Sequence, residues 1–104
     1  MKLSLHHILW TKDPNTRGLF PIYLRITIDR KSTHISSGDF IAERQWDRKE
    51  EQVRNHPLEN DINARLRDLK AKVSNKFNEK MLSGKRISAK ELKAIFYGAN
   101  FSDC

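Results

Sequence analysis

Pro21-Ile22-Tyr23-Leu24-Arg25-Ile26-Thr27-Ile28 alternates without a break, placing Ile22, Leu24, Ile26 and Ile28 on one side of an extended chain and Tyr23, Arg25 and Thr27 on the other. This is a half-buried strand. Upstream, Leu3 to Trp10 reads as a second strand. Between the two, Lys12-Asp13-Pro14-Asn15-Thr16-Arg17-Gly18 supplies the Pro, Asn and Gly of a turn. Downstream, Asp29-Arg30 opens a short turn into Lys31-Ser32-Thr33-His34-Ile35-Ser36-Ser37-Gly38.

Parity sets the register of the second hairpin. If Ile35 shares the buried face with Leu24, paired positions sum to an odd number, and a two-residue loop at Asp29-Arg30 or a four-residue loop satisfies this. Arg25 then lies opposite His34, Tyr23 opposite Ser36 and Thr27 opposite Ser32. Arginine is a poor fit for a left-handed turn position such as Arg30. In the first strand Leu3, Leu5 and Leu9 share a face with His7, while Ile8 and Trp10 share one with Ser4 and His6; the leucine face is expected to point inward.

The second half is helical. From Ile41 to Arg54 the chain becomes charged and reads as a connector whose Trp46 covers the core. A long helix is predicted from near Pro57 to Gly84, carrying Leu58, Ile62, Leu66, Leu69, Val73, Phe77 and Met81 at spacings of three and four. A shorter one opens at Ser88-Ala89-Lys90-Glu91, which has the form of a capping box, and is expected to stop at Gly98. The expected fold is α+β: a three-stranded antiparallel sheet packed on one long helix, plus a short C-terminal helix. The strands need one apolar face covered, and the helical stripe is the large apolar surface available for it.

Composition narrows the function. In 104 residues, 20 Lys and Arg face 13 Asp and Glu, a net charge of +7 that draws a small domain toward polyanions. A chain this short has little room for a deep substrate cavity, so function is expected on a surface, without a small-molecule substrate or cofactor. The lone Cys104 has no partner for a disulfide or a thiolate metal site, and no apolar run approaches a membrane span or signal peptide; a cytoplasmic protein without a membrane partner is expected.

The outward face is the candidate site. Arg25 in mid-strand is able to give guanine a bidentate fork, and Tyr23, Thr27, Ser32, His34 and Ser36 surround it with hydrogen-bonding groups. Lys12, Arg17, Arg30 and Lys31 lie in the two turns, read as sharing an edge, where they would grip phosphates. The bland reading is the solvated face of a one-sided sheet, on which Arg, Thr and Tyr are ordinary. His6 and His7 point to opposite faces and do not share a metal. Glu59, Asp61, Asp68 and Glu79 sit on a Lys- and Arg-rich helix as surface ion pairs, not as a catalytic pair. No glycine-rich phosphate loop occurs. Two readings compete with duplex DNA: contact between protomers through Leu58 to Met81 or Leu92 to Phe96, and single-strand binding, for which no stacking aromatic is evident beyond Tyr23.

Asn15-Thr16-Arg17-Gly18-Leu19-Phe20-Pro21-Ile22-Tyr23-Leu24-Arg25-Ile26-Thr27, His34-Ile35-Ser36-Ser37-Gly38 and Gln45-Trp46-Asp47 carry a family resemblance. The chain resembles the N-terminal arm-type DNA-binding domain of Bacteroidetes tyrosine recombinases, the integrases and transposases of phages and conjugative elements. Ser37 stands where threonine is usual and Arg30 where Gly or Asn is frequent. The resemblance implies a non-catalytic sheet that docks in the major groove of arm sites. It places strand exchange in a separate domain, whose tyrosine nucleophile neither Tyr23 nor Tyr97 matches. Residues 1–98 would then form the arm-type domain and 99–104 the start of a linker. Its partners would be double-stranded DNA and, through the helices, other recombinase protomers.

Overall fold

The computed structural model describes residues 2–12 and 14–101. Strands β1 (Leu3–Leu9), β2 (Phe20–Ile28) and β3 (Lys31–Ile41) form one antiparallel sheet in the order β1-β2-β3. A single turn of 3-10 helix (Glu43–Gln45) leads into a small hairpin of β4 (Trp46–Asp47) and β5 (Gln52–Val53). Helices α1 (Glu59–Leu82) and α2 (Ala89–Phe101) complete the chain. The α+β layering is the one the alternation and the helical stripe require.

The register agrees with the parity argument pair by pair: Leu24 faces Ile35, Arg25 His34, Tyr23 Ser36 and Thr27 Ser32. The turn is the two-residue form, with Ile28 opposite Lys31 and both Asp29 (φ 51°) and Arg30 (φ 71°) left-handed. This backbone matches the twist of the flanking strands, although a left-handed arginine costs about 1–2 kcal/mol. Farther along, β3 carries an irregularity opposite Ile22, where Gly38 takes φ +87° and the Ser37 hydroxyl donates to the Ile22 carbonyl at 2.7 Å. Two extra residues on β3 preserve parity, so Ile35 and Ile41 both point inward.

Ile22, Leu24, Ile26, Ile28, Ile35 and Ile41 are essentially sealed. Burial of each such side chain is worth about 1.5–3 kcal/mol. One part of the core joins β2 and β3 to Val73, Phe77, Ile87, Ala89 and Leu92, with Leu3 and Leu5 packed against it. The other joins Ile22, Ile41, Val53, Ile62 and Leu66, with Leu9 and Trp46 against it. The leucine face of β1 and the cover provided by Trp46 are therefore as expected.

The helical stripe is spent on the chain's own sheet. Ile62, Leu66, Val73, Phe77 and Leu92 are buried, while Leu58, expected in the stripe, is half exposed. Most of the stripe is therefore covered by the sheet, while Leu58 and Leu82 stay exposed and Leu69, Met81, Ile95 and Phe96 are only half-buried. Helix α1 starts two residues beyond Pro57 and closes before Gly84, which is left-handed at φ +82°. The capping box of α2 forms reciprocally: the Ser88 N–H donates to Glu91 Oε1 and the Glu91 N–H to Ser88 Oγ, each at 3.1 Å.

Helix α2 continues past the expected stop at Gly98 to Phe101. Glycine ends a helix where it turns left-handed, as Gly84 does; within a helix it lowers stability without terminating it. The expected linker, 99–104, overlaps this last stretch of helix, and its residues 102–104 lie outside the described ones. Among the described residues no helix is long and apolar enough to cross a membrane.

Candidate nucleic-acid interface

Alternation delivers one outward side chain from each strand at every second step, so the free face is built in cross-strand rows: Ser4-Thr27-Ser32, His6-Arg25-His34 and Ile8-Tyr23-Ser36. All six face residues expected from sequence, Tyr23, Arg25, Thr27, Ser32, His34 and Ser36, lie in these rows. Arg25 is exposed at the centre and makes no ion pair among the described residues. Its Nε donates to Ser32 Oγ at 3.4 Å, and Ser32 Oγ also lies 2.7 Å from Thr27 Oγ1. The terminal guanidinium nitrogens remain available for a planar, two-acceptor partner.

The four turn cations are exposed, but they do not share an edge. Lys12 and Arg17 stand before β2 and Arg30 and Lys31 after it, so the nine residues of β2 separate the pairs by about 27 Å. Connections of antiparallel neighbours alternate between the ends of a sheet, and this overturns the common-edge reading. The long edges carry cations of their own. A groove of about 570 Å³ between β1 and the β4-β5 hairpin includes Arg48, His6 and Arg25. Beside β3, a second groove of about 400 Å³ includes Lys90 and Lys93 of α2 with Ser32 and Thr33. Sequence reasoning missed Arg48, Lys90 and Lys93 because their approach to the sheet depends on how the hairpin and α2 pack.

It also missed Glu51. One carboxylate oxygen accepts the His7 backbone N–H at 2.8 Å and the other lies 2.9 Å from His6 Nδ1, across 44 and 45 residues of sequence. Burial works to raise the Glu51 carboxyl, but the His6 hydrogen bond, the His7 N–H and the nearby His6 and Lys70 charges outweigh it and hold the group below its ordinary value. Glu51 thereby closes part of the open edge of β1, which would otherwise present free backbone donors.

The imidazoles differ. His34 is held below its ordinary value by partial burial and then by the positive charges of Arg25 and Lys93. His7 points inward and is 6% exposed, with neither ring nitrogen hydrogen-bonded among the described residues; the Leu66 carbonyl faces the ring without closing a bond of normal geometry. Burial first and Lys70 second push His7 below its ordinary value of 6.5, while the Leu66 carbonyl and Glu51 pull the other way. As pH falls below about 6.5, the unfolded chain takes up a proton that the folded chain refuses. Stability should then fall by up to about 1.4 kcal/mol per pH unit, levelling off below the folded value. Urea midpoints between pH 7.5 and 5.5 should drop more for the natural chain than for His7→Leu, in which His34 is unchanged. Equal drops would show that His7 is solvated.

At the end of the face nearest the first turn, Trp10 lies 5.9 Å from Tyr23 and 5.7 Å from His34 between ring centroids, with Lys12 Nζ 5.4 Å from the indole centroid. The aromatic grouping extends beyond Tyr23, and parity had already put Trp10 and Ile8 outward. Among the described residues no three His, Cys, Asp or Glu side chains converge as a metal site.

A sheet closed by helices on one side and polar and cation-rimmed on the other defines a small α+β binding domain that works through a surface. The family model described as Arm DNA-binding domain matches residues 7–93, from the middle of β1 into α2. The chain belongs to that family, whose domains are non-catalytic DNA-binding parts of integrase-type recombinases. No curated protein and no solved structure matches the chain.

Proposed function

We propose that the domain binds duplex DNA sequence-selectively by laying the outer face of its sheet in the major groove of arm sites. In this reading it serves a tyrosine recombinase of the Bacteroidetes type, a cytoplasmic protein whose strand-exchange chemistry resides in another domain joined beyond α2. Three strands about 4.8 Å apart span about 9.6 Å between outer axes, which fits a groove about 12 Å wide; the length of β2 does not fit across it. The strands therefore follow the groove. Lys12, Arg17, Arg30 and Lys31 reach phosphates at the two ends, and Arg48, Lys90 and Lys93 reach the backbones along the two sides.

The observation that carries the reading is Arg25, exposed mid-face, oriented by Ser32 and free of any carboxylate partner among the described residues. Such an arginine suits the O6 and N7 acceptors of guanine, with Tyr23, Thr27, Ser32, His34 and Ser36 as neighbouring contacts. Arg25→Ala should cost about 1–3 kcal/mol and relax preference at one base pair, whereas Lys31→Ala should weaken all sequences alike. Competition binding against single-base variants of a selected duplex separates the two. Equal, sequence-blind losses would remove Arg25 from base readout.

A further inference from the structure

We propose that Trp10, Tyr23 and His34 form an apolar contact for the C5-methyl group of thymine, one or two base pairs from the guanine read by Arg25. The proposal rests on the major-groove reading above.

The cluster lies on the DNA-facing side of the sheet. Tyr23 is in the row next to Arg25, His34 is opposite Arg25, and the Trp10 N–H extends the ladder by donating to the Pro21 carbonyl at 2.9 Å. Ile8, directly opposite Tyr23, points outward beside them. On the free face the three rings are mutual neighbours, with Arg25 and Ser36 as the polar groups beside them, and Ile8 borders the groove toward Trp46 and Arg48. Two residues along a strand is about 7 Å, or about two steps of a duplex that rises 3.4 Å per base pair. That distance sets the offset between the guanine and the thymine.

Ring geometry decides between a methyl contact and a stacking platform for single strands. The planes cross at 89° for Trp10 and Tyr23, 67° for Trp10 and His34, and 66° for Tyr23 and His34. Successive bases stack on ring faces that are open and follow a common direction. Here the rings meet edge to face, and the Lys12 ammonium lies over the indole. Edge-to-face rings offer ring carbon that suits a methyl group, and no run of parallel faces for the planes of bases. In the major groove thymine presents that methyl next to its O4 acceptor.

The test replaces thymine by deoxyuridine, one position at a time, in a duplex selected by the domain from a randomised library. This removes the methyl and leaves every hydrogen-bonding group in place. The natural chain should lose about fourfold in affinity at one thymine within two base pairs of the guanine whose preference Arg25→Ala relaxes, from the burial of one carbon group. Trp10→Ala should show no loss on that replacement, with circular dichroism reporting whether the variant folds. The scan of the natural chain stands by itself should the variant unfold. Indifference to every replacement, with the Arg25 effect intact, would overturn the methyl contact while leaving the proposed function standing. Tighter binding to the single strand than to the duplex would overturn it in favour of a stacking site. Loss of all base preference, including that at Arg25, would instead remove the major-groove reading beneath it.

Discussion

Raising monovalent salt from about 50 to about 200 mM should weaken the domain's binding to its duplex by about 250- to 1,000-fold. Each phosphate neutralised by Lys or Arg releases condensed counterions, so log affinity falls with log salt at a slope of about −0.9 per contact. With roughly four to six contacts the slope is about −4 to −5. The cations are placed for it: two at each end of the sheet, Lys90 and Lys93 along one side, and Arg48, in an exposed pair with Glu43 at 3.8 Å, along the other. The sides carry the sharper form of the prediction. Lys90→Ala and Lys93→Ala should each make the slope shallower by about 0.9 without altering base preference. Fluorescence anisotropy at several salt concentrations reads both quantities. A flat response would end the electrostatic account, and slopes untouched by the two lysine variants would take the β3 side away from the phosphates.

Asn63→Leu should destabilise the domain by about 2–6 kcal/mol. Asn63 is buried on α1, where its Oδ1 accepts the Val53 backbone N–H at 2.8 Å and its Nδ2 donates to the Val53 carbonyl at 3.0 Å. One side chain thus satisfies both backbone groups of a sealed residue at the edge of the two-residue strand β5. Leucine would leave both unpaired away from water, at about 1–3 kcal/mol each. A domain of this size is stable by only about 5–15 kcal/mol, so the melting temperature should fall by about 10 °C or more. The same substitution frees the hairpin that carries Glu51 and Arg48, so the salt slope should shallow as well in whatever folded fraction remains. A destabilisation under about 1 kcal/mol would mean that water reaches Val53 and that the hairpin is not clamped to α1.

Much of the fold was legible because period and parity are local properties. Four inward aliphatics at every second position fix which side of β2 is buried. Ile35 then fixes the register of β3, and with it the neighbours of Arg25. The capping box at Ser88 and Glu91 and the long apolar stripe of α1 were readable for the same reason. A two-residue strand has no period to detect, so β4 and β5 went unseen. The left-handed Arg30 shows a local preference overruled by the pairing of two long strands, which gain more from a matched turn than the turn residue loses.

Of the candidate site, the six face residues follow from alternation, and Trp10 and Ile8 were assigned to that face without being seen as a group. Glu51 is different: it stands forty-four positions along the chain from the backbone donor that it caps, and no spacing rule connects them. Arg48, Lys90 and Lys93 read in sequence as ordinary surface charge. Their position beside the sheet follows from where the hairpin and α2 dock.

The sequence by itself determined the layer: which side of each strand meets the helices, which residues are left outside, and that the surplus charge is positive. Only the tertiary structure decided what surrounds Arg25, namely cations on both long sides, an aromatic cluster at one end and a carboxylate closing the edge of β1. The reason is physical. Side-chain direction along a strand is dictated by the backbone every two residues, whereas the meeting of segments distant in sequence depends on the packing of a shared core, which no local pattern encodes.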